Sequence, residues 1–197
     1  MAALGPAAGV TLHLYAAIRP GQGDVPTGLD GAALQLLRLD GLALAASEHK
    51  EPLPPTRARL LCHRRVNLAL RGVPFRYGQV AADRDDAERT LGPRAAELAA
   101  SLEHVAGCVE FVVTPPDPAG GLAADGNHGP GTAYLHAARR RYLAADEVRV
   151  RVASAARDVR EVAHGLACLV AYDRVDDFRR LAVGCSISGP WPPGSFV

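Results

Sequence analysis

The chain has 197 residues, enough for one ordinary domain or two small ones. Hydrophobic residues make up 48% and charged residues 22%, a globular balance that excludes disordered, collagen-like and coiled-coil classes. Lys and Arg number 22 against 21 Asp and Glu. The formal net charge is therefore +1, and the chain lacks the excess of basic residues that nucleic-acid binding requires. We expect no nucleic-acid partner.

The N-terminus and the cysteines exclude further classes. Residues 1–9 lack a basic segment followed by a long apolar one, so we expect a flexible tail and not a signal peptide. No window reaches 18 uninterrupted apolar residues, which predicts a cytoplasmic protein without a membrane span. Because the cysteines form no CxxC pair, we expect reduced thiols, no metal site and no cofactor. These cysteines are Cys62, Cys108, Cys168 and Cys185.

Residues 10–106 predict an N-terminal α+β domain. Asp40-Gly41 between two apolar runs predicts a hairpin turn. Thr56 is typical of a helix N-cap, and the helix that follows places Leu60 and Leu61 on one face and arginines on another, as in an amphipathic helix. The predicted elements are strands at 10–18, 34–39, 42–46 and 73–80, and helices at 56–71 and 85–106, the second interrupted at Gly92-Pro93.

Residues 107–188 predict a second domain. The elements in order are a strand at 108–113, a mobile loop at 114–131, a helix at 132–158, a hairpin of strands at 159–163 and 166–172, a helix at 175–182 and a strand at 185–188. The alternation over residues 148–152 also permits a strand in place of the end of the long helix. The β-α-β-β-α-β order predicts a ferredoxin-like domain, and the fold class of the whole chain is α+β.

Catalytic motifs are missing from the sequence. No glycine-rich segment has the spacing of a phosphate-binding loop, and Ser186 and Ser188 lie in no nucleophile motif. The paired acids fall at predicted helix starts or on exposed helix faces, where carboxylates interact favourably with the helix dipole. The seven histidines are scattered along the chain. We therefore predict no catalytic residue and no metal ligand, and a function based on binding.

The C-terminal tail, residues 189–197, contains the only Trp and three prolines. Proline favours an extended course, and Trp191 and Phe196 offer large apolar surfaces. We expect the tail to dock either on the chain itself, joining its two domains, or on a partner protein. The residues expected to do so are Trp191, Pro192, Pro193 and Phe196.

The tail, Gly189-Pro-Trp-Pro-Pro-Gly-Ser-Phe196, resembles the C-terminal signature GPWPPYSF of the gas vesicle protein GvpL/GvpF family. Residues 73–80, VPFRYGQV, are similar to the family's P-[LF]-R-[FY]-G-x-[VF] strand. Weaker similarities occur in the family's order at Leu14-Tyr15-Ala16, His63-Arg64-Arg65-Val66, Gly107-Cys-Val-Glu110 and Pro130-Gly-Thr-Ala-Tyr134-Leu135. The resemblance covers residues 11–197. Gly194 in place of the usual Tyr and a short 178–188 segment are departures expected of a divergent paralogue.

The resemblance implies an accessory protein of the gas vesicle, located on vesicles in the cytoplasm. Such a protein would bind the shell protein and other accessory proteins, prevent aggregation, and assist vesicle nucleation and assembly. Arg76 is expected either to meet an aromatic ring or a carboxylate such as Glu110, or to form an inter-domain ion pair. The residues expected to serve in protein binding or inter-domain docking are His63, Phe75, Arg76, Tyr77, Glu110, Tyr134, Trp191, Pro192, Pro193 and Phe196.

A second function class stays open from the residues alone. Ferredoxin-like folds host many unrelated activities, so a small enzyme or a ligand-sensing domain is the alternative. A deep pocket lined by convergent polar groups would favour that alternative.

Overall fold

The structure is a computed structural model that describes residues 10–21, 25–51, 53–116 and 130–197. The chain forms two compact units. The first unit runs to Gly107 and includes Trp191–Val197, and the second unit is Cys108–Pro190. Each unit contains an antiparallel sheet and helices, which confirms the mixed α and β class predicted from the sequence.

The sheet of the first unit is built around its first strand. Strand order is β2-β3-β1-β4, and β5 pairs with the same central strand β1. The strands are β1 (Thr11–Ile18), β2 (Gln35–Leu39), β3 (Leu42–His49), β4 (Val73–Pro74) and β5 (Val80–Ala81). The helices are α1 (Arg57–Leu70), α2 (Arg84–Leu91) and α3 (Ala95–Val105), with one turn of 3-10 helix at Gly92–Arg94 that interrupts the second predicted helix.

Local residue chemistry explains two of these boundaries. Asp40 and Gly41 join β2 to β3 with φ angles of +37° and +81°, the left-handed backbone that a two-residue type I′ hairpin turn requires. The Thr56 hydroxyl accepts a hydrogen bond from the backbone N–H of Arg59 at 3.3 Å and caps α1. Both features agree with the sequence prediction.

The predicted strand at 73–80 is wrong as a single element. It is divided into β4 and β5, which pair with different parts of β1 and are separated by a turn in which Gly78 has φ +85°. Strand β1 contains a bulge between Leu14 and Ala16 at the same level. Hydrogen bonds from Phe75 N–H to the Tyr15 carbonyl and from Leu14 N–H to the Gln79 carbonyl close the two sides of the turn. The segment therefore arches over the bulge instead of pairing continuously.

Helix α1 does not bury the face that its leucines predict. The amphipathic pattern would turn Leu60 and Leu61 inward, but they are 45% and 47% exposed. The buried side chains are His63, Val66, Asn67 and Leu70. Two polar side chains can occupy this face because β1 and β3 present polar groups opposite them, as described below.

The second unit has the predicted order of elements. They are β6 (Cys108–Thr114), α4 (Pro130–Ala153), β7 (Asp158–Val162), β8 (Gly165–Ala171), α5 (Val175–Leu181) and β9 (Ser186–Trp191), and the sheet order is β7-β8-β6-β9. Phe111 of β6 stacks on Phe178 of α5, with ring centroids 5.3 Å apart. The strand alternative for residues 148–152 is wrong, because these residues are helical and bury Val148 and Val152.

Three other features of the second half bear on the sequence predictions. The predicted loop at 114–131 lies mostly at 117–129, outside the described residues, and α4 already begins at Pro130. Strand β9 continues to Trp191, so the predicted tail begins inside a strand. In the described part of the chain, no helix is both long and apolar enough to cross a membrane.

Candidate functional site

A cluster of polar side chains, most of them buried, lies beneath α1 in the first unit. Strand β1 contributes His13 and Tyr15, which are two residues apart and therefore share a face. Their rings are close to the ring of His63 on α1, with centroids 5.1 Å and 5.2 Å away. Tyr77, from the turn between β4 and β5, completes the cluster at 5.2 Å from the His13 ring. The cluster joins two sheet segments to one helix.

Hydrogen bonds restrict the protonation of the two central histidines. His63 Nε2 lies 3.0 Å from the carbonyl oxygen of Phe75, which can only accept, so this nitrogen carries a proton. His63 Nδ1 lies 3.1 Å from His13 Nε2. The direction of this bond depends on the tautomers: a neutral His63 accepts at Nδ1 from His13, whereas a protonated His63 donates to an unprotonated His13 Nε2. The bond therefore requires that one of the two facing nitrogens lacks a proton.

A second set of bonds holds the sheet side of the cluster. The Tyr15 hydroxyl accepts a hydrogen bond from Leu29 N–H and lies 2.8 Å from Ser47 Oγ. Ser47 Oγ is in turn 2.8 Å from His49 Nε2. A serine beside a histidine is the arrangement of an activated nucleophile, but Ser47 and Tyr15 are both fully buried. Substrate has no access to the Ser47 hydroxyl, so this side chain has a structural role.

Burial shifts the pKa values in this cluster toward the neutral forms. Desolvation, followed by the neighbouring His63 and His49, lowers the pKa of His13 from 6.5 to about 4. Desolvation also lowers the pKa of His63, although the hydrogen bond to Phe75 opposes the shift. Burial raises the pKa of Tyr15. The cluster is therefore uncharged near neutral pH.

The start of α1 is fixed by an ion pair. The Arg59 guanidinium donates from Nε and Nη2 to the Asp30 carboxylate, with the shortest distance 2.7 Å. Asp30 lies in a 3-10 turn, Leu29–Gly31, that begins at the core residue Leu29. The hydrogen bond with Arg59 lowers the pKa of the Asp30 carboxyl. Helix α1 is thus held at its first turn by charge and at its middle by the histidine pair.

The tail residues that sequence reasoning singled out belong to the first unit. The Arg64 guanidinium of α1 lies over the ring of Trp191, 4.6 Å from the centroid. Phe196 is buried, with its ring centroid 6.4 Å from that of His104 in α3. Pro193 is buried and Pro192 is half-buried. A hydrogen bond from Phe196 N–H to the Pro193 carbonyl shapes the last turn.

The other predicted site residues are not brought together in one place. His63 and Tyr77 lie in the polar cluster, and Phe75 contributes its carbonyl to the same cluster. Arg76, in the adjacent turn, is exposed. Glu110 is 6% exposed in β6, and Tyr134 is 68% exposed on α4, both in the second unit.

The sequence pattern did not indicate four of the six side chains in the polar cluster. His13, Tyr15, Ser47 and His49 were not selected, because each looks ordinary on its own strand. The i, i+2 spacing of polar residues within the two apolar strands β1 and β3 is the signal that could have found them. Their meeting depends on the β1–β3 register, which pairs His13 with Ser47.

Two observations concern metal binding and small-molecule binding. Within the described ranges, no group of three or more His, Cys, Asp or Glu side chains is arranged to hold a metal ion. In the second unit, a groove of about 200 Å³ lies between α4 and the β7–β8 hairpin, and Arg149 and Glu161 at its wall form an ion pair at 3.1 Å. That volume is below the roughly 300–1,000 Å³ typical of small-molecule sites.

Comparison with known proteins gives a family match. The model of the family described as gas vesicle synthesis protein GvpL/GvpF matches residues 11–177. The matched range covers most of the chain but ends before the Pro-rich tail. No curated protein matches the chain.

Solved structures show the same fold. The crystal structure of the gas vesicle protein GvpF from an Anabaena species is similar with a TM-score of 0.73 and 17% identity, and the match covers 95% of each chain. GvpF from Microcystis aeruginosa is similar with a TM-score of 0.66 and 17% identity, over 94% of this chain and 98% of the other. At this identity the structural likeness concerns the fold, and the family match carries the assignment.

Proposed function

This chain belongs to the GvpL/GvpF family of gas vesicle synthesis proteins, and from that membership we propose that it is an accessory protein of gas vesicle assembly. In the proposed role it binds the vesicle shell protein and assists nucleation of the vesicle in the cytoplasm. The family match over residues 11–177 is the observation that carries the proposal.

The physical basis of the role is the protection of an apolar surface. A protein that assembles into a shell around gas exposes extensive apolar surface before assembly, and such surface aggregates. A binding partner that covers this surface lowers the concentration of shell protein with exposed apolar surface. It does not block the growth of a vesicle from its nucleus. The role needs a folded binding surface and no turnover, which fits a chain whose Ser47 hydroxyl, beside His49, is fully buried.

We extend the proposal to the arrangement of the chain. The second unit serves as a ferredoxin-like domain, a proposal supported by its β-α-β-β-α-β order and by the sheet order β7-β8-β6-β9. The tail serves as a docking element, supported by the burial of Phe196 and Pro193. Other accessory proteins of the vesicle are further proposed partners.

The enzyme or ligand-sensing alternative gains no support from the described residues. The groove beside α4 is small and its Arg149 and Glu161 pair with each other. The strongly shifted titratable groups, His13 and Cys168, are buried. Perturbed groups at an active site are expected in an accessible cleft.

Co-expression with the shell protein tests the proposed function. A tagged copy of the full chain should retain the shell protein on an affinity column after washing, because the proposed role requires a direct complex. A tagged, unrelated protein of similar size and charge serves as the control. Shell protein that elutes equally from both columns would contradict the proposed function.

A further inference from the structure

The outer face of α1 combines exposed leucines with arginines. Leu60 and Leu61 are 45% and 47% exposed, although their neighbours on the inner face are buried. Arg57, Leu61 and Arg65 follow one another at intervals of four residues, and Leu60 and Arg64 have the same interval, so these side chains are neighbours on the helix surface. We call Arg57, Leu60, Leu61, Arg64 and Arg65 the arginine–leucine face.

The charge on this face is not balanced within the chain. Helix α1 contains four arginines and no acidic residue. Arg59 pairs with Asp30, whereas Arg57, Arg64 and Arg65 make no ion pair with any acidic side chain that the structure describes. Arg89, Arg94 and Arg180, on other helical segments, do have such partners. The guanidinium groups of Arg57 and Arg65 are exposed and remain available for carboxylates, whereas Arg64 is half-buried with its Nε enclosed.

The face is also rigid before any partner arrives. The Thr56 cap, the Arg59–Asp30 pair and the His63 bonds to His13 and Phe75 hold α1 on the sheet. Arg64 is held over the Trp191 ring at 4.6 Å, so its guanidinium is already restricted. Binding to a preorganised surface costs less conformational entropy than binding to a mobile one.

We propose that the arginine–leucine face of α1 is the docking surface for a protein segment in which acidic side chains lie beside apolar ones. Guanidinium groups form bidentate pairs with carboxylates, and the two leucines supply apolar contact between those pairs. The proposal rests on the proposed function in one respect, because it takes this segment to belong to the vesicle shell protein.

Other occupants fit the face less well. A nucleic acid would place phosphates against Leu60 and Leu61, which offer no hydrogen bond, and the chain carries a net charge of only +1. A membrane-bound helix needs a broad apolar face, whereas here two half-exposed leucines are interrupted by arginines. Charge complementarity thus favours a mixed acidic and apolar protein segment.

Paired substitutions in the full chain test the surface, with co-expressed shell protein as the probe. Leu60→Asn with Leu61→Asn should weaken retention of the shell protein about tenfold or more, since a few contact residues dominate most interfaces. The matched control is Leu135→Asn with Leu143→Asn on α4, which removes two leucines of 67% and 54% exposure. Equal loss in both variants, or no loss in the α1 variant, would overturn the proposal.

A second series tests the charge requirement. Arg57→Glu with Arg65→Glu should abolish retention, while Arg57→Lys with Arg65→Lys should retain part of it, because lysine keeps the charge but not the bidentate geometry. Unchanged melting temperatures show that each variant is folded. If the Glu variant retains the shell protein as well as the wild-type chain does, the proposed surface is wrong but the proposed function stands. If the wild-type chain itself retains no shell protein, the proposed function is refuted.

Binding of the chain to synthetic peptides and to lipid vesicles identifies the chemistry of the partner. Overlapping synthetic peptides of the shell protein should bind the wild-type chain where Asp or Glu lies beside apolar residues, and replacing those acids by Asn or Gln should abolish binding. Lipid vesicles that contain 30% anionic phosphatidylglycerol should not bind the wild-type chain. Binding to these vesicles that is lost in the Arg57→Glu, Arg65→Glu variant would overturn the proposal in favour of a membrane surface.

Discussion

At the scale of single residues, the buried histidine pair makes the first unit sensitive to pH. His63 Nδ1 and His13 Nε2 face each other at 3.1 Å, while His63 Nε2 donates to the Phe75 carbonyl. The contact holds one proton between the two facing nitrogens, so protonation of both rings would place two N–H groups against each other in a buried site. The bond between β1 and α1 is therefore lost when both histidines are protonated.

The stability of the first unit should fall as pH falls. The pKa of His13 is lowered in the folded state to about 4 from 6.5, so the unfolded state binds a proton first. The contribution of His13 is fully present above pH 6.5 and is lost progressively between pH 6.5 and pH 4. The loss is on the order of 3 kcal/mol, at about 1.4 kcal/mol per pKa unit. Urea unfolding at several pH values, followed by Trp191 fluorescence, measures it.

Substitution separates this effect from general acid unfolding. His13→Gln should be less stable than the wild type at pH 7 and should show a smaller loss between pH 6.5 and pH 4. His164→Gln, at an exposed position, should keep the wild-type profile. An unchanged pH profile in the His13→Gln variant would rule out the histidine pair as the origin.

At the scale of elements, the turn that connects α1 to β4 packs tightly against β1. Gly72 is buried between Arg71 and Val73, and a Cβ there would overlap the carbonyl oxygen of Ala17 and lie 2.6 Å from Ile18 Cγ2. The arched segment from β4 to β5 starts at this contact. A side chain larger than hydrogen cannot fit without moving the central strand.

Gly72→Ala should therefore destabilise the first unit by about 2–4 kcal/mol, because the obstacle is backbone and cannot rotate away. Gly92→Ala is the matched control. Gly92 has helical φ and ψ of −53° and −48°, and its Cβ would meet nothing closer than 4.0 Å, so alanine there should be neutral or slightly stabilising. Equal midpoints of urea unfolding for the two variants would contradict the packing described for Gly72.

The elements also show what could be predicted from the sequence and what could not. The Asp40-Gly41 hairpin and the Thr56 cap were predictable, because turn and cap chemistry act over a few residues. The inner face of α1 was not. Leucines on an exposed face and histidine and asparagine on a buried one reverse the usual pattern, and only the pairing of His13 with His63 across 50 residues explains it.

At the scale of the whole molecule, the last residues of the chain return to the unit formed by the first residues. Trp191–Val197 belong to the first unit, whereas Cys108–Pro190 form the second. The tail motif indicated the family correctly, although the family match itself ends at residue 177. The sequence left open whether the tail docks on the chain itself or on a partner, because its contacts with Arg64 and His104 depend on long-range packing.

Trp191→Ala should lower the thermal stability of the chain. The change removes the cation–π contact with Arg64 and the burial of part of a large ring, worth together about 1–3 kcal/mol. Tyr134→Ala removes an aromatic side chain that is 68% exposed and should change stability by less than about 0.5 kcal/mol. Melting followed by circular dichroism, with limited proteolysis, compares the two. Wild-type melting and protease resistance in Trp191→Ala would show that the ring is not docked.

The most direct measurement of the proposed role is the soluble fraction of the vesicle shell protein during co-expression. With the full chain present, the shell protein should move from the pellet to the soluble fraction and elute with the chain in one complex by size-exclusion chromatography. With the Leu60→Asn, Leu61→Asn variant, most of it should return to the pellet. Shell protein that stays in the pellet whether or not the wild-type chain is present would contradict a role in binding and protecting it.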